Sequence, residues 1–189
     1  EVFSSDMWDG FINVALTLMP NAVIVIDRFH VMRNLHKALE EFRRSLRRIY
    51  KGTEVLKHLR WPLLKHPTTL TETERTQLDQ AFAVCPQLEQ VYQLKEDFRR
   101  WYDGFTCPHQ AATWLDQWLD QARALANPHL DAFVGTVTRW KAYILNFFHQ
   151  RITNGLVEGI NNVIKLIKRR AFGSLKFEHF RLRILTECR

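Results

Sequence analysis

The sequence predicts an α+β fold that is predominantly α-helical, with two short strands near its beginning. Residues 22–26 form a β-branched, apolar run that ends at Asp27, which is typical of a strand covered on both faces. Beyond that run, apolar residues recur every three or four positions over long stretches, which indicates amphipathic helices. Because two buried strands alone make an incomplete sheet, we expect further strands to precede residue 1.

The two predicted strands flank a helix. We interpret residues 1–6 as a short strand or the end of one. Apolar residues at helical spacing predict a helix over residues 7–19, and Pro20 and Asn21 end it before the second strand begins.

A long helix is predicted over residues 29–51, with Gly52 as its end. The apolar stripe that predicts it consists of Met32, Leu35, Leu39, Phe42, Leu46 and Ile49. Four arginines lie off that stripe, namely Arg43, Arg44, Arg47 and Arg48.

The middle of the chain is predicted to be wholly helical. Thr71, followed by Glu72 and Glu74, favours the start of a helix that runs through Val84. Three prolines then stand where helices can begin, and they predict helices over residues 87–105, 109–126 and 129–150.

Two more helices are predicted at the end of the chain. Asn154 is expected to cap a helix that runs to about Arg170, and Gly173 is expected to end it. A last short helix is predicted over residues 176–188.

Positive charge is concentrated in two segments of the chain, whose formal net charge is +7. Residues 28–60 carry ten basic and three acidic side chains, and residues 151–189 carry nine basic and three acidic ones. Residues 61–150, with eight basic and ten acidic side chains, are nearly neutral. Concentrated cationic surface attracts polyanions, so nucleic acid is a candidate partner, although a merely solvated face would have the same composition.

The cysteines and the apolar runs argue against several classes of protein. Cys85, Cys107 and Cys188 are far apart and odd in number, which argues against a disulfide framework or a zinc cluster and fits a reducing cytosol. No apolar run approaches the roughly 18 residues that span a bilayer, and no signal peptide is visible. We therefore expect a cytoplasmic protein without a membrane partner.

Each predicted strand is followed by an aspartate, Asp6 after the first strand and Asp27 after the second. Sites in open α/β sheets form outside the carboxyl ends of strands, where carboxylates can bind Mg²⁺. The alternative is that each aspartate caps the helix that follows it. His30 lies three residues after Asp27, so it could bind a phosphate, orient Asp27 or relay a proton, or be structural.

Glu158 lies in the first turn of a predicted helix, where the helix dipole favours an acid. An acid followed by amides and a line of cations fits a metal ligand beside phosphate-binding cations better than a simple solvated face. The residues that share its face are Asn161, Asn162, Lys165, Lys168 and Arg169, and Arg170 follows them.

Four tryptophans could suggest stacking on nucleic-acid bases. They are Trp101, Trp114, Trp118 and Trp140. Because Trp114 and Trp118 have the spacing of a core stripe, we predict that these side chains pack in the core.

Four blocks of the sequence resemble the ISL-three family of insertion-sequence transposases. They are residues 5–8, 20–31, 153–165 and 168–173, and they occur in the same order as in the family. The specific ones are Asp-Arg-Phe-His at residues 27–30 and Asn-Gly-x-x-Glu-Gly-x-Asn-Asn at residues 154–162.

The resemblance implies an RNase-H-like core with an Asp-Asp-Glu triad. Glu158 matches the third acid, and Asp6 matches the second, with Asp27 as the alternative. Asp27 and His30 match an accessory signature after the fifth core strand. The first aspartate and the family's DNA-binding region are expected upstream of residue 1.

The resemblance also implies how the chain is divided. Residues 1–30 would belong to the catalytic core and contain its fourth and fifth strands. Residues 31–150 would form an all-helical insertion. Residues 151–189 would complete the core with the helix that carries Glu158.

The implied activity is metal-dependent cleavage and transfer of DNA strands. Two Mg²⁺ would be bound by the triad, including Asp6 and Glu158, and we expect this chain alone to be inactive. DNA would be held by Lys165, Lys168, Arg169 and Arg170, and a second stretch by Arg43, Arg44, Arg47 and Arg48. The implied protein acts on element ends and target DNA as a homo-oligomer, associated with the bacterial nucleoid. The alternatives are a non-enzymatic helical DNA-binding or assembly module and a two-metal nuclease on the same core.

Overall fold

The computed structural model describes residues 1–151, 155–171 and 176–187, apart from the side chains of Gln150 and residues 156–158. The chain divides into two compact units, Glu1–Arg151 and Ile152–Arg189. The described residues form a predominantly helical structure with one two-stranded sheet, which confirms the predicted fold class. The proposed division at residues 30 and 31 stays a prediction.

The sheet consists of β1 (Val2–Ser5) and β2 (Val23–Ile26), which pair in parallel from Val2 opposite Val23 to Ser5 opposite Ile26. Helix α1 (Asp9–Leu18) connects them. Parallel pairing places the carboxyl ends of both strands at the same edge. Residues 6 and 27 therefore leave the sheet next to each other.

Helix α2 (Arg28–Ile49) begins directly after the sheet and ends one turn before Gly52, whose φ is +87°. The predicted apolar stripe is buried from Met32 to Leu46, but its last member, Ile49, is 72% exposed. The prediction that all four arginines lie off the buried stripe is wrong for Arg43, which is only 6% exposed.

Short elements that were not predicted connect α2 to the helical middle. They are a 3₁₀ turn at Glu54–Leu56, helix α3 (Arg60–Leu64) and a second 3₁₀ turn at Pro67–Thr69. Helix α4 (Glu72–Val84) follows with the predicted bounds. Its start is fixed by a capping box, because the Thr71 hydroxyl accepts from Glu74 N–H and the Glu74 carboxylate accepts from Thr71 N–H.

The next three helices, α5 (Pro86–Gly104), α6 (Pro108–Ala124) and α7 (Pro128–Leu145), each begin at the proline that predicted them. The predicted single helix over residues 129–150 is wrong, because α8 (Phe147–Gln150) is separate. Asn146 stands at the break. Its side-chain Nδ2 donates to Ile24 O at 2.8 Å, which ties this corner to β2.

Two apolar clusters form the core of the first unit. One packs the sheet, α1 and the first half of α2 against α5 to α8, and the other packs the second half of α2 against α3, α4 and the start of α5. Trp101, Trp118 and Trp140 are buried as predicted, and Trp114, which is partly buried, packs against the first cluster and stacks on Trp101. The indole N–H groups of Trp101 and Trp118 donate to Ala111 O and Leu94 O, both at 3.0 Å.

The described part of the second unit consists of α9 (Gly155–Arg170) and α10 (Phe177–Glu187). Helix α9 ends at the predicted residue. The predicted cap Asn154, the predicted helix end Gly173 and the last predicted helical residue, Cys188, lie outside the described residues.

Candidate functional site

The pair formed by Asp6 and His30 lies at the carboxyl edge of the sheet. Asp6 directly follows β1, and His30 lies in the first turn of α2. His30 Nε2 is 2.7 Å from Asp6 Oδ1, and both side chains are partly exposed. The imidazole of His30 therefore orients the carboxylate of Asp6 and not that of Asp27.

Asp27 caps helix α2. Its Oδ1 accepts from Phe29 N–H at 3.2 Å, and the residue is only 3% exposed. Of the two aspartates, Asp27 therefore has the helix-capping role considered from the sequence. Asp6 does not, because α1 begins after Trp8 and has no side-chain cap among the described residues.

Asp6 and His30 line a cleft of about 560 Å³. Its other lining residues come from the segment just before α1 and from one face of α2, namely Met7, Trp8, Arg33, Asn34 and Lys37. The cleft thus combines an exposed carboxylate, an imidazole and two cations. Such a combination suits a phosphate ester bound next to an oxygen-ligated metal ion.

Two ion pairs hold the helices that border this cleft. The Arg28 guanidinium pairs with Asp103 on α5 at 2.5 Å and lies 5.2 Å from the centroid of the buried Tyr102 ring. Arg139 on α7 contacts both carboxylate oxygens of Asp9, at 2.6 and 2.7 Å. These contacts connect the starts of α2 and α1 to α5 and α7.

Arg33 and Lys37 were not among the predicted site residues. They follow His30 by three and seven positions, so they lie on the same face of α2. Both are exposed, and Lys37 is 3.8 Å from Glu41. Helical spacing counted from His30 would have found them.

The four predicted arginines of α2 divide into two kinds. Arg43 is buried and bound to Glu40 through Nε and Nη2, at 2.7 and 2.9 Å, so it is not available to a phosphate. Arg44 also contacts Glu40 but is 59% exposed, and Arg47 and Arg48 are exposed. Because Arg43 is already bound in a buried ion pair, the predicted DNA contact of α2 is reduced to Arg44, Arg47 and Arg48.

The predicted cations of α9 are all exposed. Lys165, Lys168 and Arg169 lie on its surface, and Arg170 is 3.9 Å from Glu187 of α10. Asn161 and Asn162 are exposed as well. The side chain of Glu158 lies outside the described part, so its role as a metal ligand stays a prediction.

Metal-binding clusters and membrane spans are both absent from the described residues. Within these ranges, no three His, Cys, Asp or Glu side chains are grouped as metal ligands would be. None of the helices there has both the length and the apolar character needed to cross a membrane. Cys85 and Cys107 are free thiols.

Comparison with known proteins identifies the relatives of this chain. A family model described as a transposase, of the DDE type and the ISL3 (ISL-three) group, matches residues 1–184. A transposase for insertion sequence element IS1001 from Bordetella parapertussis is 30% identical over 171 residues, covering 87% of this chain and 42% of the relative. A transposase for IS1557 from Mycobacterium tuberculosis is 26% identical over 195 residues, covering 90% and 44%.

The chain spans less than half the length of these curated relatives. No solved structure matches it. The family match covers nearly all of the chain, including the segment with Asp6 and His30 and helix α9 with Glu158. The chain therefore belongs to the ISL3 family of transposases.

Proposed function

We propose that this chain supplies two carboxylates, Asp6 and Glu158, to a magnesium site that cuts and joins DNA strands during transposition of an insertion sequence. The observation that carries the proposal is the exposed Asp6 carboxylate, hydrogen-bonded by His30 in a cationic cleft. Family membership gives the substrate class, since the named relatives are transposases for insertion sequences.

Asp6 fits a magnesium ligand better than Asp27 does. Mg²⁺ prefers oxygen ligands and keeps several waters, so its ligands need access to solvent. Asp6 meets this condition, with its side chain 47% exposed and Oδ1 bonded to His30 Nε2. Asp27 is buried and accepts from a backbone N–H, so a metal ion would have to displace the cap of α2.

His30 is a positioning residue in this proposal. A hydrogen bond from its imidazole fixes the orientation of the Asp6 carboxylate, as partners of metal-binding carboxylates commonly do. Arg33 and Lys37 lower the electrostatic cost of bringing a phosphodiester beside that carboxylate. Two bound Mg²⁺ would supply Lewis-acid charge for an in-line displacement at phosphorus.

An amide series at three acids tests the assignment in a transposase that carries this segment within its complete catalytic core. We expect Asp6→Asn and Glu158→Gln each to lower strand cleavage by on the order of a thousandfold, because each removes a metal ligand. DNA binding should persist in both variants. Gel assays of strand cleavage and strand transfer provide the measurement.

Asp27→Asn is the matched control, because asparagine caps a helix about as well as aspartate. It should keep most of the cleavage activity. Loss of cleavage in Asp27→Asn with activity retained in Asp6→Asn would reverse the assignment. Since the resemblance implies three acids and we assign two to this chain, we propose that the 189 residues alone cut no DNA.

A further inference from the structure

Trp8 is an exposed tryptophan beside the Asp6–His30 pair. Its side chain is 58% exposed, whereas Trp101, Trp118 and Trp140 are buried in the core. Trp8 lines the same cleft as Asp6, His30 and Arg33. A large aromatic surface left in water next to a reactive site is available to stack on a ligand.

The indole of Trp8 has a defined position. Its ring packs edge-on against Phe11, with centroids 4.7 Å apart. It also lies over Gly10, because a Cβ built at that glycine would be 2.6 Å from the ring. The absence of a side chain at residue 10 thus allows the ring to lie against the first turn of α1.

The cleft beside Trp8 adjoins a second cleft, of about 310 Å³, which Arg33 and Lys37 also line. Arg44 and Arg60 line that second cleft as well. Both clefts lie along α2, with Arg33 and Lys37 at their common border, and we refer to the two together as the trough. From His30 to Arg44 the helix rises about 21 Å, which is long enough for several nucleotides.

The charges of the trough favour a polyanion. Its basic side chains are Arg33, Lys37, Arg44 and Arg60, and Lys37 is 3.8 Å from the nearby acid Glu41. Two further acids line the trough: Glu40 is already bound by Arg43 and Arg44, at 2.7 and 2.9 Å, and Asp6 is paired with His30. The trough therefore presents cations along its length with an aromatic ring at the end near Asp6.

We propose that this trough binds a single DNA strand, with one unpaired base stacked on Trp8 and the phosphates beside Arg33, Lys37 and Arg60. The inference rests on the proposed function and deepens it, because it names the form of DNA that the site receives. Inside a duplex both faces of each base are already stacked on neighbouring bases, so an indole beside a row of cations cannot stack on an interior base pair. Cationic grooves with aromatic stacking platforms are typical of single-strand binding.

Binding of labelled oligonucleotides to the 189-residue chain tests the proposal. A single strand and a duplex of the same sequence are compared by fluorescence anisotropy, and 2-aminopurine in the single strand reports stacking. We expect Trp8→Ala to weaken single-strand binding about tenfold, to abolish the quenching of 2-aminopurine and to change duplex binding less than twofold. Trp8→Phe, which keeps an aromatic ring, should restore part of the single-strand affinity and part of the quenching of 2-aminopurine.

Trp61→Ala is the matched control. Trp61 is 62% exposed and lies next to Arg60, but it does not line either cleft. The Trp61→Ala variant should keep the wild-type affinity for single-stranded DNA and the wild-type quenching of 2-aminopurine. Since Trp8 is exposed, its replacement should leave the unfolding temperature unchanged, which separates a lost contact from a lost fold.

Two outcomes overturn the inference and differ in what they say of the proposed function. If Trp8→Ala weakens the binding of single strand and duplex equally, or weakens the binding of neither, then Trp8 stacks on no base. The transposase assignment is unaffected by that outcome. If wild-type chain binds neither form of DNA, the inference fails and the DNA-binding part of the proposed function loses its support as well.

Discussion

Asp6 and Asp27 both follow a strand of the same parallel sheet, yet their surroundings differ because of the residues that come after them. Helix α2 begins at Arg28, immediately after Asp27, so the Asp27 carboxylate can reach the Phe29 N–H and cap the helix. Helix α1 begins three residues after Asp6. That spacing leaves the Asp6 carboxylate free to contact His30, which lies in the first turn of α2, after the second strand.

His36 provides a pH-dependent contribution to stability. Burial, together with the nearby positive charges of Lys95 and Arg99, lowers the pKa of His36 from 6.5 to about 4. Its Nε2 is buried without a hydrogen-bond partner among the described residues. Because His36 binds a proton more weakly in the folded chain than in the unfolded chain, its contribution is fully present above pH 6.5 and is lost as the pH falls towards 4.

His36→Leu tests this contribution. The wild-type free energy of unfolding should fall between pH 6.5 and 4 by roughly 2–3 kcal/mol more than that of the variant, because leucine does not titrate. Urea unfolding at a series of pH values measures the difference. His109→Leu, which alters an exposed histidine, should keep the wild-type pH dependence. Equal pH dependence in wild type and His36→Leu would contradict the prediction.

Elements with strong local signals were predicted well. The capping box at Thr71 and the prolines at 86, 108 and 128 fixed the starts of α4 to α7 to within one residue. The break at Asn146 could not be predicted, because it accompanies a side-chain bond to Ile24, 122 residues away. Burial of Arg43 was missed although its partner Glu40 lies only three residues away, at a spacing that is typical of ion pairs on one helix.

The candidate site was predicted in its residue types but not in its pairing. The sequence placed Asp6, Asp27 and His30 near one edge of the sheet, but Asp27 was the only carboxylate that His30 was expected to orient. Which aspartate His30 contacts depends on how the two strand–helix connections pack in space. The periodicity of apolar residues does not contain that information. Arg33 and Lys37 stand apart from the denser arginine run further along α2, so charge density in the sequence does not mark them.

Helix α3 has only five residues, and its end is held by side chains of α5. The fully buried Lys95 donates from Nζ to Leu63 O at 2.6 Å and contacts Glu96, while Arg99 Nη2 donates to Leu64 O at 3.4 Å. The last carbonyls of a helix lack partners within the helix, so cations there stabilise it. The polar contacts between α3 and α5 therefore fix an element too short to be stable alone.

Lys95→Met should lower the free energy of unfolding by about 3 kcal/mol, because it removes the hydrogen bond to Leu63 O and leaves the buried Glu96 carboxylate with Arg99, at 3.5 Å, as its remaining ion-pair partner. The double variant Lys95→Met/Glu96→Gln should recover part of that loss. Lys141→Met is the matched control, since its partner Asp116 is exposed and such pairs contribute less than about 1 kcal/mol. Urea unfolding measures all three, and wild-type stability in Lys95→Met would show that the buried pair contributes nothing.

On the scale of the whole chain, the excess positive charge lies in two segments, residues 28–60 and 151–189, which the near-neutral helical middle separates. In residues 61–150 most cations have acidic partners, such as Arg100 with Asp97 and Arg123 with Asp120. Arg47 and Arg48, by contrast, have no ion-pair partner within the described ranges. Exposed cations without acidic neighbours are the ones that can exchange counterions for phosphates.

The affinity of the chain for DNA should therefore fall steeply as the salt concentration rises. The exposed arginines of α2 should account for part of that fall. Each neutralised phosphate contributes a slope of about −0.7 to −0.9 to the logarithm of affinity against the logarithm of salt concentration. Replacing Arg44, Arg47 and Arg48 together by Gln should reduce the slope by about two, as measured by anisotropy between about 50 and 200 mM salt.

The control for that experiment is the double variant Arg100→Gln/Arg123→Gln, which removes two exposed cations from the neutral segment. It should leave the slope unchanged, because both guanidinium groups already have carboxylate partners at the surface. An equal reduction in both variants would mean that net charge alone attracts the DNA, and a flat salt response of the wild type would exclude phosphate binding by α2 altogether. A reduction confined to the α2 variant would place a DNA contact on the same helix that carries His30.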